Sequence, residues 1–409
     1  MKKLLIIGHT YPEPTTTAAG TRMMQLISLF LEQDFSITFA STATVSERSE
    51  ELSKLNITTR SIVLNDSSFD DFIQELNPSM VLFDRYITEE QFGWRVAETC
   101  PNAMRILDTE DLHFLRKARE EAIKKGLPVE EADLFSETAK REIASIYRSD
   151  CSLIISEFEM ELLIKTFKVE ESILYYLPFL ITDFSEDRAK NFKSFEERSD
   201  FISIGNLLHA PNIDSVLYLK KEIWPSIRKQ LPQARMRIYG AYAPQQIREL
   251  QDKKTGFLIE GWADDVTSVM NSARICLAPL RFGAGLKGKL VDAMVCGTPS
   301  ITTSIGAEGL YGKHSFSGTI ADDVQGIVDA SIKLYSNKTT WLQAQQNGFD
   351  IINNRFRKEL FSEAFAARIL QLQEKLMQHR QDNFIGQIFQ HHSLKSTKYL
   401  SKWIEAKNL

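Results

Sequence analysis

Short apolar runs alternate along this chain with stretches whose apolar positions recur every three or four residues. The first pattern marks buried strands and the second amphipathic helices. In the first half, strands are predicted at Leu4–Ile7, Ser36–Phe39, Ser61–Leu64, Met80–Phe83, Arg105–Leu107 and Leu153–Ile155. Helices are predicted at Thr21–Glu32, Glu89–Thr99, Asp111–Lys125 and Glu130–Arg148. In the second half, strands are predicted at Phe201–Ile204, Met236–Tyr239, Phe257–Glu260, Ile275–Ala278 and Ser300–Thr303. Helices fall at Asn212–Gln230, Pro244–Gln251, Asp264–Met270, Leu286–Val295 and Val324–Ser336. Continuous apolar strands separated by helices require parallel sheets covered on both faces. The chain is therefore expected to be α/β, with two Rossmann-like domains facing across a cleft. The domains are set at 1–180 and 200–358, joined by a polar linker at 181–199.

Residues 359–409 break the alternation. Glu359 to Arg380 reads as one long amphipathic helix. Beyond it Phe384, Ile385, Ile388, Phe389, Tyr399, Trp403 and Ile404 recur at three and four residues, so this tail is a helix with a face to bury. Packing on the chain's own body, the first domain included, or on another subunit is expected. The excess of Lys395, Lys398, Lys402 and Lys407 over Asp382 and Glu405 also admits peripheral membrane contact.

Composition narrows the class. A chain of 409 residues has room for two or three domains. A formal net charge of −5 lacks the basic excess of a nucleic-acid binder. Cys100, Cys151, Cys276 and Cys296 show no paired-ligand spacing and read as buried, reduced thiols. The apolar run after Lys2 and Lys3 is too short for a signal peptide, and no stretch reaches the roughly 18 apolar residues of a membrane span. A cytoplasmic location is expected, with contact at the inner membrane face left open.

The strongest chemical signal spans residues 279–303. The strand ending at Ala278 runs into Gly283, Gly285 and Gly288, set among Arg281, Lys287 and Lys289, and then into a helix broken by Gly297-Thr298-Pro299. A glycine loop opening a helix offers unpaired N–H groups and a positive dipole end to an anion. A lysine in that first turn is unfavourable unless an anion is present. The absence of a GxGxxG turn after Ile7 counts against a nicotinamide-binding domain.

From Phe201 to Leu370 the residues resemble retaining family 4 glycosyltransferases, of the GT-B fold. The resemblance runs through Phe201-Ile-Ser-Ile-Gly-Asn206, Trp224-Pro225, Arg237-Ile-Tyr-Gly240 and Phe257-Leu-Ile-Glu-Gly-Trp262. It is most specific at Lys289-Leu-Val-Asp-Ala-Met-Val-Cys-Gly-Thr-Pro299, followed by Gly306-Ala-Glu-Gly309. It implies transfer of a sugar from a nucleotide-diphosphate sugar to a glycan, lipid-linked or small-molecule acceptor, with retention of configuration. Donor contacts are then expected from Gly20, Gly205, Asn206, Arg281, Gly283, Gly285, Leu286, Lys287 and Asp292. Asp292 is the expected ribose contact, and Trp262 is expected to flank the base. His113, Asp111 and Lys289 are the expected catalytic residues, Lys289 as the cation on the leaving phosphate.

Departures accompany the likeness. The family commonly carries two glutamates separated by seven residues at this loop, whereas here Ala284 and Asp292 occupy those places. The usual Arg and Lys after the domain's first strand are replaced by Gly205-Asn-Leu-Leu-His209. No Asp-x-Asp pair is available to hold a divalent ion on a diphosphate, so no metal or other cofactor is expected. Two alternatives stay beside the transferase: a degenerate nucleotide-sugar-binding or scaffold subunit, and another GT-B enzyme such as a sugar-nucleotide epimerase.

Overall fold

The computed structural model describes residues 2–182, 184 and 192–408, the side chains of 392–394 excepted. Its first sheet contains β1 (Lys2–Gly8), β2 (Phe35–Ser41), β3 (Thr58–Ser61), β4 (Met80–Asp84), β5 (Met104–Asp108), β6 (Cys151–Ile154) and β7 (Leu174–Tyr176). The second contains β8 (Ser199–Ile204), β9 (Met236–Tyr239), β10 (Phe257–Gly261), β11 (Ala273–Ala278), β12 (Ser300–Thr302) and β13 (Gly318–Ile320). The strand orders are β3-β2-β1-β4-β5-β6-β7 and β10-β9-β8-β11-β12-β13. Neighbouring strands pair in parallel throughout both sheets. The α/β architecture expected from the pattern holds.

Both sheets are covered on both faces, and the side-chain period of two divides their cores. Leu4 and Ile6 of β1 join Met80 and Leu82 of β4 in one cluster, while Leu5, Ile7, Val81 and Phe83 join the opposite one. In the second sheet, Phe201, Ile275 and Leu277 face one way, and Ile202, Cys276 and Ala278 the other. Burying each large aliphatic side chain contributes about 1.5–3 kcal/mol, so these central strands fix the register. Strand order reverses between β1 and β4 and again between β8 and β11. Ligands of such sheets bind outside the carboxyl ends of the strands at these reversals.

Several elements differ from expectation. The third strand lies at Thr58–Ser61, just ahead of the apolar run that suggested it, because β2 pairs Thr38 with Thr58. The edge strands β7 and β13 and the helices Glu157–Lys165 and Lys338–Ile351 are absent from the predicted elements, while Ser68–Leu76 fills a gap between strands where helical periodicity is expected. The helix expected at Asn212–Gln230 is interrupted by a widened turn at Leu219–Ile223. Pro225, which lacks an N–H, stands just after it. The span 181–199 read as a linker lies partly outside the described residues; within the described part Phe184 and Arg198 are buried and Ser199 opens β8.

The C-terminal segment returns to the first domain as helices, and the stretch Glu359–Arg380 expected as one helix is broken at Lys375. Ser362–Glu374 brings Phe365, Ile369 and Leu372 into the core beneath β1. Leu376–Asp382 follows, with Arg380 on the Asp150 carboxylate at 2.7 and 2.8 Å and on the carbonyls of Pro101 and Ala103. Asn383 then donates to the Tyr147 carbonyl and accepts from Gly386 N–H, capping Phe384–Asn408. The break at Asn383 falls where its side chain reaches the first domain.

Arg22, 1% exposed, joins three parts of that domain. It sits on the helix Ala18–Leu31, pairs with Asp108 at the end of β5 at 2.7 Å, and donates to the Leu177 carbonyl. Removing one partner leaves a buried charge uncompensated, so Arg22→Met is expected to lower unfolding free energy by about 3–5 kcal/mol. Urea unfolding measures this, and a loss under about 1 kcal/mol would contradict the role.

Candidate functional site

A cavity of about 680 Å³ lies between the two sheets. Its walls are the loops after β1, β4 and β5 on one side and after β8, β9 and β11 on the other. These are the carboxyl ends at both topological reversals.

The glycine loop after β11 is held by the first domain. Arg119 donates to the Gly283 carbonyl at 2.8 Å and pairs with both oxygens of Glu308. Glu159, fully buried, accepts at a single oxygen from Leu112 N–H at 2.9 Å and from Gly285 N–H at 2.8 Å. Gly285 has φ 62°, and a Cβ there would lie 2.8 Å from that of Asp111, so only glycine fits. Lys287 folds back on the Gly285 carbonyl at 2.7 Å. Burial lowers its ammonium to about 8, against the attraction of Glu308. The helix Gly288–Val295 begins without a side-chain cap, leaving its start open to an anion.

Beside that start, Lys289 donates to Asn212 at 2.6 Å, and Asn212 donates to the Asn206 carbonyl. A Cβ on Gly205 would stand 2.7 Å from the Asn212 amide nitrogen and 3.0 Å from the Lys289 ammonium, so this glycine permits the arrangement. Burial lowers Lys289 to about 8. Asp292, one turn further along the helix, lines the cavity, and loss of water around its carboxyl pushes it up to about 7.

The first-domain wall is polar and strained. Arg85 follows β4 with φ 71°, and Glu110 follows β5 with φ 62°, left-handed conformations that cost side-chain-bearing residues about 1–3 kcal/mol each. Asp84 accepts from His9 N–H at 2.9 Å and lies 3.6 Å from the Arg85 guanidinium. One Glu110 oxygen is buried and, among the described residues, has no hydrogen-bond partner. Burial and then Asp108 raise that carboxyl well above its ordinary range. Asp111 pairs with Arg116 and lies 3.4 Å from His113. Although burial pushes the other way, Arg116 and then His113 hold the Asp111 carboxyl far below its ordinary range. Burial lowers His113 to about 3 and His209 to about 4, so both imidazoles are neutral at physiological pH. Glu142 fixes the start of the His113 helix by accepting from His113 N–H and Phe114 N–H.

Among the expected site residues, His113, Asp111, Lys289, Gly205, Asn206, Gly283, Leu286, Lys287 and Asp292 line this cavity, as does Trp262. Three others do not. Gly20 packs on the Glu13 backbone, where a Cβ would come within 2.4 Å. Arg281 is paired with Asp214, its guanidinium 5.0 Å from the Tyr218 ring. Gly285 turns the loop from behind. Arg85, Glu110, Arg116 and His209 also line the cavity and were absent from the expected set. Arg85 and Glu110 were legible only as polar residues directly after apolar strands. Glu159 carried no signal, because its helix had not been recognised.

Residues 198–337 match the family model described as glycosyl transferases group 1. That match falls on the second domain and leaves the first domain uncovered. A Klebsiella pneumoniae protein described as an uncharacterized 44.6 kDa protein in the cps region is 26% identical over 172 residues. That match covers 40% of this chain and 44% of the relative, so it spans less than half of the relative's length. The sucrose-phosphate synthase of Thermosynechococcus elongatus superposes with a TM-score of 0.68 at 14% identity, over 91% of this chain and 99% of that one. Anabaena HepE, in complex with UDP and glucose, gives 0.69 at 11% identity, over 91% and 100%. The matched span is thus the second half of a GT-B fold that extends over nearly the whole chain.

Glu159 makes the clasp between the second domain and the first sensitive to pH. Burial raises its carboxyl from the ordinary 4.5 to about 7. Between those values the unfolded chain has lost the proton and the folded chain keeps it, so this group makes stability fall as pH rises through that window. Glu159→Gln keeps an oxygen for both N–H groups and removes the titration. Thermal unfolding from about pH 4.5 to about pH 7 is expected to show a shallower decline in the variant. Equal slopes in the two proteins would contradict the assignment.

Proposed function

We propose that the protein is a retaining, metal-independent glycosyltransferase of the hexosyl type. It takes a sugar from a nucleotide-diphosphate donor and passes it to a hydroxyl of a glycan, lipid-linked or small-molecule acceptor. The observation that carries this reading is the uncapped start of the helix Gly288–Val295, flanked by Lys287 and Lys289 and facing His113 across the cavity. Cleaving the bond between sugar and diphosphate places negative charge on the leaving phosphate. Preorganised N–H groups and an ammonium at that point stabilise the transition state more than the ground state.

Each wall has its part. Asp292 accepts from the ribose hydroxyls one turn into the helix, and Trp262 lies where the base would be flanked. Neutral His113 can both accept from and donate to hydroxyls of the transferred sugar without adding charge. Asp111, kept ionised by Arg116, orients the acceptor hydroxyl, and the leaving phosphate takes that hydroxyl's proton as the new bond forms on the same face. Among the described residues, no group of three or more His, Cys, Asp or Glu side chains is placed to hold a metal ion. The presence of UDP beside HepE makes uridine the first base to test. A binding-only subunit and an epimerase, the alternatives to transfer, are not favoured by the comparisons.

Thermal-shift screening with UDP, GDP, ADP and dTDP, followed by donor-turnover assays, tests the reading. At least one nucleotide is expected to stabilise the protein. Lys289→Ala is expected to lower kcat by about 10²–10³-fold with the fold intact. Because Lys289 loses its proton near 8 in the free protein, kcat/KM is expected to fall as pH rises above that value. Nucleotide binding without turnover of any donor would contradict the transferase.

A further inference from the structure

The C-terminal helix Phe384–Asn408 is docked by its polar side. Ser401 is buried against Arg95, which also pairs with Glu405. Lys398 meets Glu98, and Gln390 donates to the Arg148 carbonyl at 2.9 Å. Among the described side chains, Phe389 packs on the Tyr147 ring.

The outward side carries apolar groups toward both ends of the helix. Phe384, Ile385, Ile388, Tyr399, Leu400 and Trp403 are between 41% and 66% exposed. At 3.6 residues per turn they share one side of the helix. A helix on the surface of a water-facing protein ordinarily turns its apolar stripe inward, and contiguous exposed apolar surface marks a contact site. The charges around this stripe have one sign. Lys395, Lys402 and Lys407 are exposed beside it, and Glu405, the only acid in the helix, is turned inward to Arg95. This concentration stands on a chain whose formal net charge is −5.

We propose that this face lies on an anionic membrane surface. Aromatic and aliphatic side chains on one stripe with lysines along its borders suit a helix lying in the headgroup plane, its apolar face buried by roughly 5–10 Å. The lysines meet the negative surface potential of acidic lipids. A second copy of the chain fits less well, since pairing two such faces brings lysine against lysine with no acid between them. The same helix pair links the surface to the cavity. Arg95 and Glu98 belong to the helix Arg85–Thr99, whose first residue lines the cavity. Ten residues of helix separate Arg85 from Arg95, roughly 15 Å. An acceptor anchored in the bilayer would thus be presented to the cavity from the side of this helix.

The inference rests on the surface and does not depend on the reading of the cavity. Co-sedimentation of the full chain with vesicles of phosphatidylcholine alone, and with phosphatidylglycerol added, tests it. Binding is expected with the acidic vesicles and is expected to weaken as salt rises. Tyr399→Ser/Trp403→Ser and, separately, Lys395→Glu/Lys402→Glu are each expected to reduce it about tenfold or more. All four positions are exposed, so circular dichroism, thermal unfolding and nucleotide binding should stay unchanged. Failure to sediment with acidic vesicles, or equal sedimentation of all proteins with both vesicle types, would overturn the proposal. So would a dimer seen by light scattering that the aromatic variant abolishes while vesicle binding is absent. Loss of nucleotide binding in the parent protein would instead strike the reading of the cavity.

Discussion

One buried carboxyl oxygen on Glu159 accepts an N–H from each domain, and the geometry of the cavity depends on it. Leu112 N–H fixes the entry to the helix that carries His113, and Gly285 N–H fixes the glycine loop. The two walls are thereby set against each other through a shared acceptor. A full negative charge so close to an anion cradle would oppose phosphate binding. Burial restrains that charge by raising the carboxyl to about 7. The Arg119–Glu308 pair secures the same loop from a second point. Left-handed Gly285 then follows as a necessity, since any side chain there would strike Asp111.

The two domains divide the chemistry. The second contributes an open helix start, two lysines whose ammoniums are weakened by burial, and a carboxyl facing the enclosed space. The first contributes a neutral histidine, an ionised Asp111 held by Arg116, and two strained residues at the ends of β4 and β5. The cations expected after β8 are missing from that loop, where His209 stands instead. Arg85 and Arg116 bring positive charge to the cavity from the opposite wall, each beside an acid that offsets it. Strain at Arg85 and Glu110 persists because the buried network around Asp84 and Asp108 holds both strand ends in place.

Central strands were legible in the sequence because they are apolar on both faces, and their periodicity leaves no competing register. Edge elements were not. β3 is exposed and polar, so the buried Ile62 just after it drew the expected strand past its true position. The tail beyond Arg380 was legible as a helix from its periodicity, whereas the break at Lys375 within Glu359–Arg380 was not, because the apolar spacing runs on through it. The glycine loop and the residues that line its side of the cavity could be found from spacing and cation placement. Glu159 and Arg119 could not, since their roles arise from contacts with residues 47 to 189 positions away. Arg281 stood among the loop cations in sequence, yet Asp214 draws it away from the cavity.

Backbone hydrogen exchange of the full chain, with and without uridine diphosphate, tests the anion cradle most directly. Slower exchange is expected in peptides covering 283–291, where N–H groups at the helix start would gain a phosphate partner, together with those covering 205–212. Unchanged exchange across both segments at saturating nucleotide, with protection confined to the first domain, would contradict the assignment of the glycine loop as the phosphate site.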